Sequence, residues 1–277
     1  MRIKSKIVFH MEPSEAEKIL PPFGLKTKKT DTMQVAEIFT DTTQYIDLIK
    51  ILTELNVDFS EFKEDVYSKE EIESSELLRM IPNAYCGYPK PDMDDGYMEV
   101  SYNYNSGCSY CSQGKLQNAP LRMLSPKMGR NDISGIHWVY EYVVTQRLKN
   151  LIEKEGFTGY EFWPVINHKT SKPFEDFYQL FIAGTMPSMS KEAKIVPAPG
   201  VKQCDCRKKG YMLKETPVYE RNAIASVASV RDFNKTFEWV GGGETTWQLP
   251  IISKRVYDFI KNNQIRGVWF IPVKVID

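Results

Sequence analysis

The chain has 277 residues, 42% of them hydrophobic and 26% charged, with Lys+Arg and Asp+Glu equal at 36 each. That length holds two domains and a sizeable core, and a formal net charge of zero leaves no global field to gather nucleic acid or an anionic membrane. The opening Met1-Arg-Ile-Lys-Ser-Lys-Ile-Val-Phe-His10 lacks the apolar stretch of a signal peptide, and no segment approaches the ~18 apolar residues of a spanning helix, so a soluble, cytoplasmic protein is expected.

Residues 1–80 read as a small α/β module. Met1 to Met11 is strand-like, and Pro13 to Leu20 is a short helix stopped by Pro21-Pro22. Met33 to Thr40 alternates as a strand does. Asp41-Thr-Thr-Gln44 has capping-box spacing, and Ile46, Ile49, Leu52 and Leu55 form a helical apolar stripe over Tyr45 to Leu55. Val57 to Val66 is a further strand. Ser68-Lys-Glu-Glu71 is a second capping box, opening a helix through about Met80. Residues 81–95 shift to Pro, Gly, Asn and Asp and read as a linker, with Cys86 a lone thiol of no catalytic role.

Residues 96–277 contain a repeat. Val144-Thr-Gln-Arg-Leu-Lys-Asn-Leu-Ile152 and Phe157-Thr-Gly-Tyr-Glu-Phe-Trp-Pro-Val165 align with Ile252-Ser-Lys-Arg-Val-Tyr-Asp-Phe-Ile260 and Ile265-Arg-Gly-Val-Trp-Phe-Ile-Pro-Val273 at one constant offset (253 − 145 = 108 and 272 − 164 = 108). The pattern reads as an internally duplicated α+β domain: half one 96–166, a connection 167–203, half two 204–277. Each half carries a strand–helix–strand unit, with helices near 146–155 and 254–263. Thr145 and Ser253 take the N-cap positions, and Gly159 and Gly267 sit where a helix-to-strand turn needs positive φ. Arg147 and Arg255 are expected to pair with Asp132 or Asp232, and Trp138 and Trp239 to lie in the core. Pro173 to Pro187 reads as a strand joining the halves, and residues 188–203 as a loop. Gly241-Gly242-Gly243 lacks the following Lys-Ser/Thr of a phosphate loop and reads as a tight turn.

Five cysteines in a chain of this size do not make a disulfide scaffold. Cys108-Ser-Tyr-Cys111 has zinc-knuckle spacing, because two thiolates three apart in a tight turn reach one tetrahedral ion. Cys204-Asp-Cys206 is a closer pair. A structural zinc ion held by Cys108, Cys111, Cys204 and Cys206 is the leading reading. Such a closed site contributes on the order of 10 kcal/mol to folding. Thiols without metal, a redox pair and disulfides are the alternatives. With three histidines, no His-Glu-x-x-His and no Gly-x-Ser-x-Gly, no catalytic motif is present.

The order Cys108-x-x-Cys111, Gln117, Pro120-Leu-Arg122, Asp132, Trp138, the Val-Val-Thr-x-Arg helix start, Gly159, Phe162-x-Pro-Val165 and a second cysteine pair before Ile-Ile-Ser-x-Arg, Gly267 and Pro272-Val273 resembles the double-CXXCG motif proteins over about residues 96–277. Ser112 stands where that pattern has glycine, and the second pair is Cys-x-Cys. The C-terminal pattern also resembles immunity proteins of bacterial polymorphic-toxin systems. The resemblance implies metal-binding knuckles and a role in neutralising a cognate toxin by binding it.

The sequence therefore leads to an α+β protein: a small N-terminal α/β module plus a duplicated C-terminal domain with a zinc-knuckle-like site. Its expected function is non-enzymatic protein binding, immunity-like, with a toxin as partner; the acidic stretch Glu61 to Glu76 reads first as a solvated helix face and second as a contact for a basic nuclease. The alternative is an enzyme of unrecognised type with its active site between the two modules. Nucleic-acid binding is disfavoured by the charge balance.

Overall fold

The computed structural model describes residues 1–24, 32–199, 204–228, 230–242 and 246–277. The basic run Lys26 to Lys29, the end of the 188–203 loop and Gly243 fall outside them. The architecture is mixed α+β with several sheets, in two compact units, Met1–Glu71 and Ile72–Asp277.

The first unit is a three-stranded antiparallel sheet. β1 (Arg2–His10) lies between β2 (Met33–Phe39) and β3 (Phe59–Val66). Period-two alternation puts Ile7, Phe9, Ala36 and Ile38 on one face. They pack on Ala16 of α1 (Pro13–Ile19) and on Leu48 and Leu52 of α2 (Thr43–Glu54). The α2 stripe differs from the expected one: Leu48 and Leu52 are fully buried, whereas Ile46 is 62% and Leu55 43% exposed. The cap is Thr42, whose hydroxyl accepts from Tyr45 N–H at 3.4 Å, not Asp41.

The capping box at Ser68 forms reciprocally: Ser68 N–H donates to Glu71 Oε2 at 2.8 Å, and Glu71 N–H to Ser68 Oγ at 3.2 Å. Its helix, α3 (Lys69–Ser74), is short. The expected continuation to Met80 is instead β4 (Leu77–Pro82). Leu78 and Met80 are buried in the core of the second unit, and pairing on both edges of β4 overrides the local helical preference. The unit boundary thus lies at residue 71, not 80. Residues 81–95 are no free linker: Cys86 is fully buried, and its N–H donates to Gly135 O at 2.9 Å.

The second unit has two five-stranded sheets. In one, β5 (Ile133–Ile136) pairs with β6 (Val139–Thr145). Next comes β8 (Pro173–Ile182), then β7 (Tyr160–Asn167), then Arg122–Met123 at the edge. β8, which the sequence assigns to the connection, is the central strand, antiparallel to both neighbours. β6, α4 (Gln146–Glu155) and β7 therefore form a crossover around an antiparallel strand, a split βαβ unit.

In the other sheet, β9 (Phe233–Lys235) pairs with β10 (Pro250–Ser253), and α5 (Lys254–Asn262) leads to β11 (Val268–Pro272). β4 lies between β10 and β11, antiparallel to both. Each sheet thus has a split βαβ unit, but the central strand comes from after the unit in one sheet and from before it in the other.

Thr145 and Ser253 hydroxyls cap the two helices, accepting from Leu148 and Val256 N–H at 3.3 Å each. Gly159 and Gly267 have φ of 87° and 118°. Arg147 pairs with Asp132 at 2.6 Å and Arg255 with Asp232 at 3.4 Å. Trp239 is buried as expected. Trp138 is not: it is 51% exposed, at φ 66° in the tip between β5 and β6.

Candidate metal centre and the adjoining cleft

The four cysteines expected to act together do converge. The Sγ atoms of Cys108, Cys111, Cys204 and Cys206 all lie within 4.8 Å of one another. Cys108 Sγ is 3.7 Å from Cys204 Sγ, and Cys111 Sγ is 3.5 Å from Cys206 Sγ. A tetrahedral ion with metal–sulfur bonds of about 2.3 Å needs sulfur–sulfur edges of about 3.8 Å. None of the thiols is disulfide-bonded.

Local backbone geometry builds this cluster. Ser112 N–H donates to Cys108 O at 2.8 Å and Cys108 N–H to Gln113 O at 2.9 Å, closing the first loop. Ser112 has φ 59°, the left-handed conformation for which glycine is the default. Serine fills this position at some cost. At Gly114 a Cβ would lie 2.5 Å from the Lys208 side chain, so only glycine lets the second cysteine loop lie so close. Lys208 Nζ in turn donates to the Ser106 carbonyl.

The electrostatics suit a cation. Backbone N–H groups of Cys111 and Tyr110, then Cys206, hold the Cys108 thiol down at about 6. Burial pushes Cys206 up to about 12 and also raises Cys111. Four thiols this close cannot all ionise without a positive charge among them, and a soft divalent ion supplies it. The donor set therefore fits a metal. Cys86 takes no part; burial pushes its thiol up to about 12, and Sγ contacts Gly135 O at 3.4 Å.

Residues 112–117, just after the first knuckle, wall a cleft with a volume of about 310 Å³. Its other walls come from the β6 start, the end of β8, Lys235 and residues 246–248. Lys235 Nζ bonds Glu141 Oε1 at 2.8 Å across 94 residues, with side-chain exposures of only 16% and 10%. Glu141 Oε2 accepts from Gln179 Nε2 at 3.2 Å, and Gln179 exchanges amide hydrogen bonds with Gln117 at 2.7 and 2.8 Å. A second lobe of about 460 Å³ shares Trp138 to Glu141 and Trp247 with the first.

The sequence reading does not identify this cleft. Its signal is the aromatic density of Tyr85, Tyr88, Tyr97, Trp138 and Tyr140, hidden because the first two lie in the apparent linker and Trp138 is expected in the core. The acidic stretch Glu61 to Glu76 is partly committed to internal bonds. Glu61 accepts from Ser5 and Tyr45, and Glu76 from Arg221. Among the described residues no helix is long and apolar enough to cross a membrane. No family model matches the chain, and no curated protein matches it closely enough to name a relative.

Proposed function

We propose that this chain is a zinc-clasped binding protein that acts by engaging a partner protein, in the manner of an immunity protein neutralising a toxin. Zinc would be held by Cys108, Cys111, Cys204 and Cys206. The observation that carries the reading is the convergence of four cysteine sulfurs. An ion held by all four would be four-coordinate with no position for a water or substrate, and would serve the fold and not turnover. Its ligands come from segments 96 residues apart, Cys108 and Cys204, so it ties distant parts of the unit together. The resemblance to the double-CXXCG and immunity proteins supports the toxin as partner.

Two measurements test this. Elemental analysis of the purified protein should give one zinc per chain. The Cys108→Ser/Cys206→Ser double variant should lose it, with a large fall in thermal unfolding temperature. Pull-down from the native host should recover a toxin whose activity the protein blocks. A metal-free, equally stable protein refutes the clasp; a recovered set without any toxin refutes the immunity role.

The enzyme reading has one observation in its favour, the Glu141–Lys235 pair in the cleft. Among the described residues of the cleft walls, however, these two groups are spent on each other, and His137 is stacked between Tyr85 and Tyr88. Binding is the better reading.

A further inference from the structure

The cleft beside the cysteine cluster carries an inference that goes beyond the metal and the partner. Rings crowd its larger lobe, lined by Tyr85, Tyr97, His137, Trp138, Tyr140 and Trp247, with Tyr88 stacked behind His137. Tyr85, His137 and Tyr88 form a stack with centroid separations of 4.5 and 4.4 Å and interplanar angles of 16° and 19°. Trp138 continues that run, 4.7 Å from Tyr88 and 5.9 Å from Tyr97. Tyr140 and Trp247, on the same lobe, stack at 3.9 Å and 7°.

Burial would be the ordinary fate of so many rings. Here Tyr85, Tyr88, Trp138 and Tyr140 are 48%, 45%, 51% and 38% exposed. The backbone beside them is unusual too. Trp138 at φ 66° and Asp95 at φ 53° are non-glycine residues in the left-handed region, and both line the larger lobe. Strain of this kind persists only where the surroundings impose it, and it concentrates at ligand sites.

Charge selects among ligands. The charged side chains lining the two lobes balance in sign, Lys115 and Lys235 against Asp95 and Glu141, and Lys235 and Glu141 are paired with each other. An anion would meet Glu141 there. A cation would meet Lys235, and also the field of Arg79, which interacts with Tyr142 and Tyr140. An uncharged ligand avoids both costs. The amides of Gln117 and Gln179 are bonded to each other, and the buried indole N–H of Trp239, which lines the smaller lobe, has no acceptor among the described residues and is left for a polar edge of the ligand.

The geometry points to this cleft as a binding site for an uncharged planar aromatic ring, seated among Trp138, Tyr140 and Trp247. The ring could come from a free heteroaromatic compound such as a nucleoside or from an aromatic side chain of a partner protein. The site does not depend on the toxin reading.

The test is a titration of the purified full-length protein with adenosine, N-acetyl-tyrosinamide and N-acetyl-leucinamide, following indole N–H signals by NMR. Signals of Trp138 and Trp247 are assigned by single substitution. At least one of the two aromatic probes should move both signals saturably, and the leucine probe should not. The tighter aromatic probe names the source of the ring. Trp138→Ala should weaken binding about tenfold or more, and Trp138→Phe, which keeps a ring, by about threefold or less. No saturable shift from either aromatic probe, equal binding of the leucine probe, or unchanged affinity in Trp138→Ala would overturn the assignment.

Discussion

The Asp132 carboxylate accepts a hydrogen bond from the backbone N–H of Arg266 at 3.2 Å, across 134 residues. The Asp232 carboxylate does the same for Thr158, at 3.0 Å. Thr158 and Arg266 are partners in the sequence repeat (266 − 158 = 108). Arg147 holds Asp132 and reaches the Asn263 carbonyl at 3.3 Å; Arg255 holds Asp232 and reaches the Glu155 carbonyl. Each aspartate thus fastens the helix-to-strand turn of the opposite split βαβ unit. Self-complementary contacts of this form are what a two-fold relation between two copies produces. We take them as support for duplication. The prediction is that Asp132→Ala and Asp232→Ala each cost about 1 kcal/mol in chemical denaturation, since each leaves a backbone N–H without its side-chain acceptor and breaks a charged pair. Arg147→Ala should cost less, because its side chain is 56% exposed. A loss confined to one of the two aspartates would show that the contacts are not equivalent.

The same turns set a sharper test. At Gly267 an added Cβ would lie 1.7 Å from the Ile133 carbonyl oxygen, and at Gly159 2.2 Å from that of Phe233. Both obstacles are backbone and cannot rotate away. Gly156 also has positive φ, at 63°, but has nothing within 4 Å. Alanine at Gly267 or Gly159 should therefore cost at least about 3 kcal/mol, and at Gly156 only about 1 kcal/mol. Similar losses at all three positions would mean that torsional strain alone, and not the close approach of the two sheets, explains the glycines.

What was legible in the sequence follows from the range of the forces involved. N-caps at Thr145 and Ser253 and the Ser68–Glu71 box depend on neighbours a few residues away, and the positive φ of Gly159 and Gly267 on a local turn; these were legible, whereas the close approach of Phe233 and Ile133 to the two glycines was not. The four cysteines were legible because sulfur has few other uses at that spacing. β4 was not. Leu77 to Pro82 is a strand because β10 and β11 supply partners from 170 or more residues downstream, as in Leu78 with Ile252 and Pro272. The exposure of Trp138 was hidden for a related reason. Large apolar residues are usually inside, and this one sits at a hairpin tip with positive φ, which no local pattern announces.

Ser112 offers a prediction about the knuckle. With φ at 59° it occupies a glycine conformation, and its N–H bond to Cys108 O does not use the side chain. Ser112→Gly should stabilise the metal-loaded protein by about 0.5–1 kcal/mol, after allowing for the added freedom of the unfolded chain. Metal stoichiometry should not change. A destabilised variant, measured by thermal unfolding with metal in slight excess, would indicate that the serine hydroxyl has a partner role at the site.

Glu238 gives a pH-dependent prediction away from the metal. It is 7% exposed; Oε1 accepts from Met189 N–H at 2.9 Å, while Oε2 has no hydrogen-bond partner among the described residues. Burial raises its pKa above the ordinary carboxylate value. The folded state therefore binds this proton more tightly than the unfolded state does. Linkage then makes Glu238 cost nothing at low pH, where both states hold the proton. The cost grows as pH rises through the unfolded value, and is complete above the folded one. Glu238→Gln keeps an acceptor for Met189 and removes the buried charge. It should stabilise the protein by on the order of 1 kcal/mol at pH 8, with the gain shrinking toward zero near pH 4. Urea unfolding of both proteins at the two pH values measures it. A gain independent of pH would place the cause in packing, and a loss at pH 8 would mean that the ionised carboxylate has a stabilising partner.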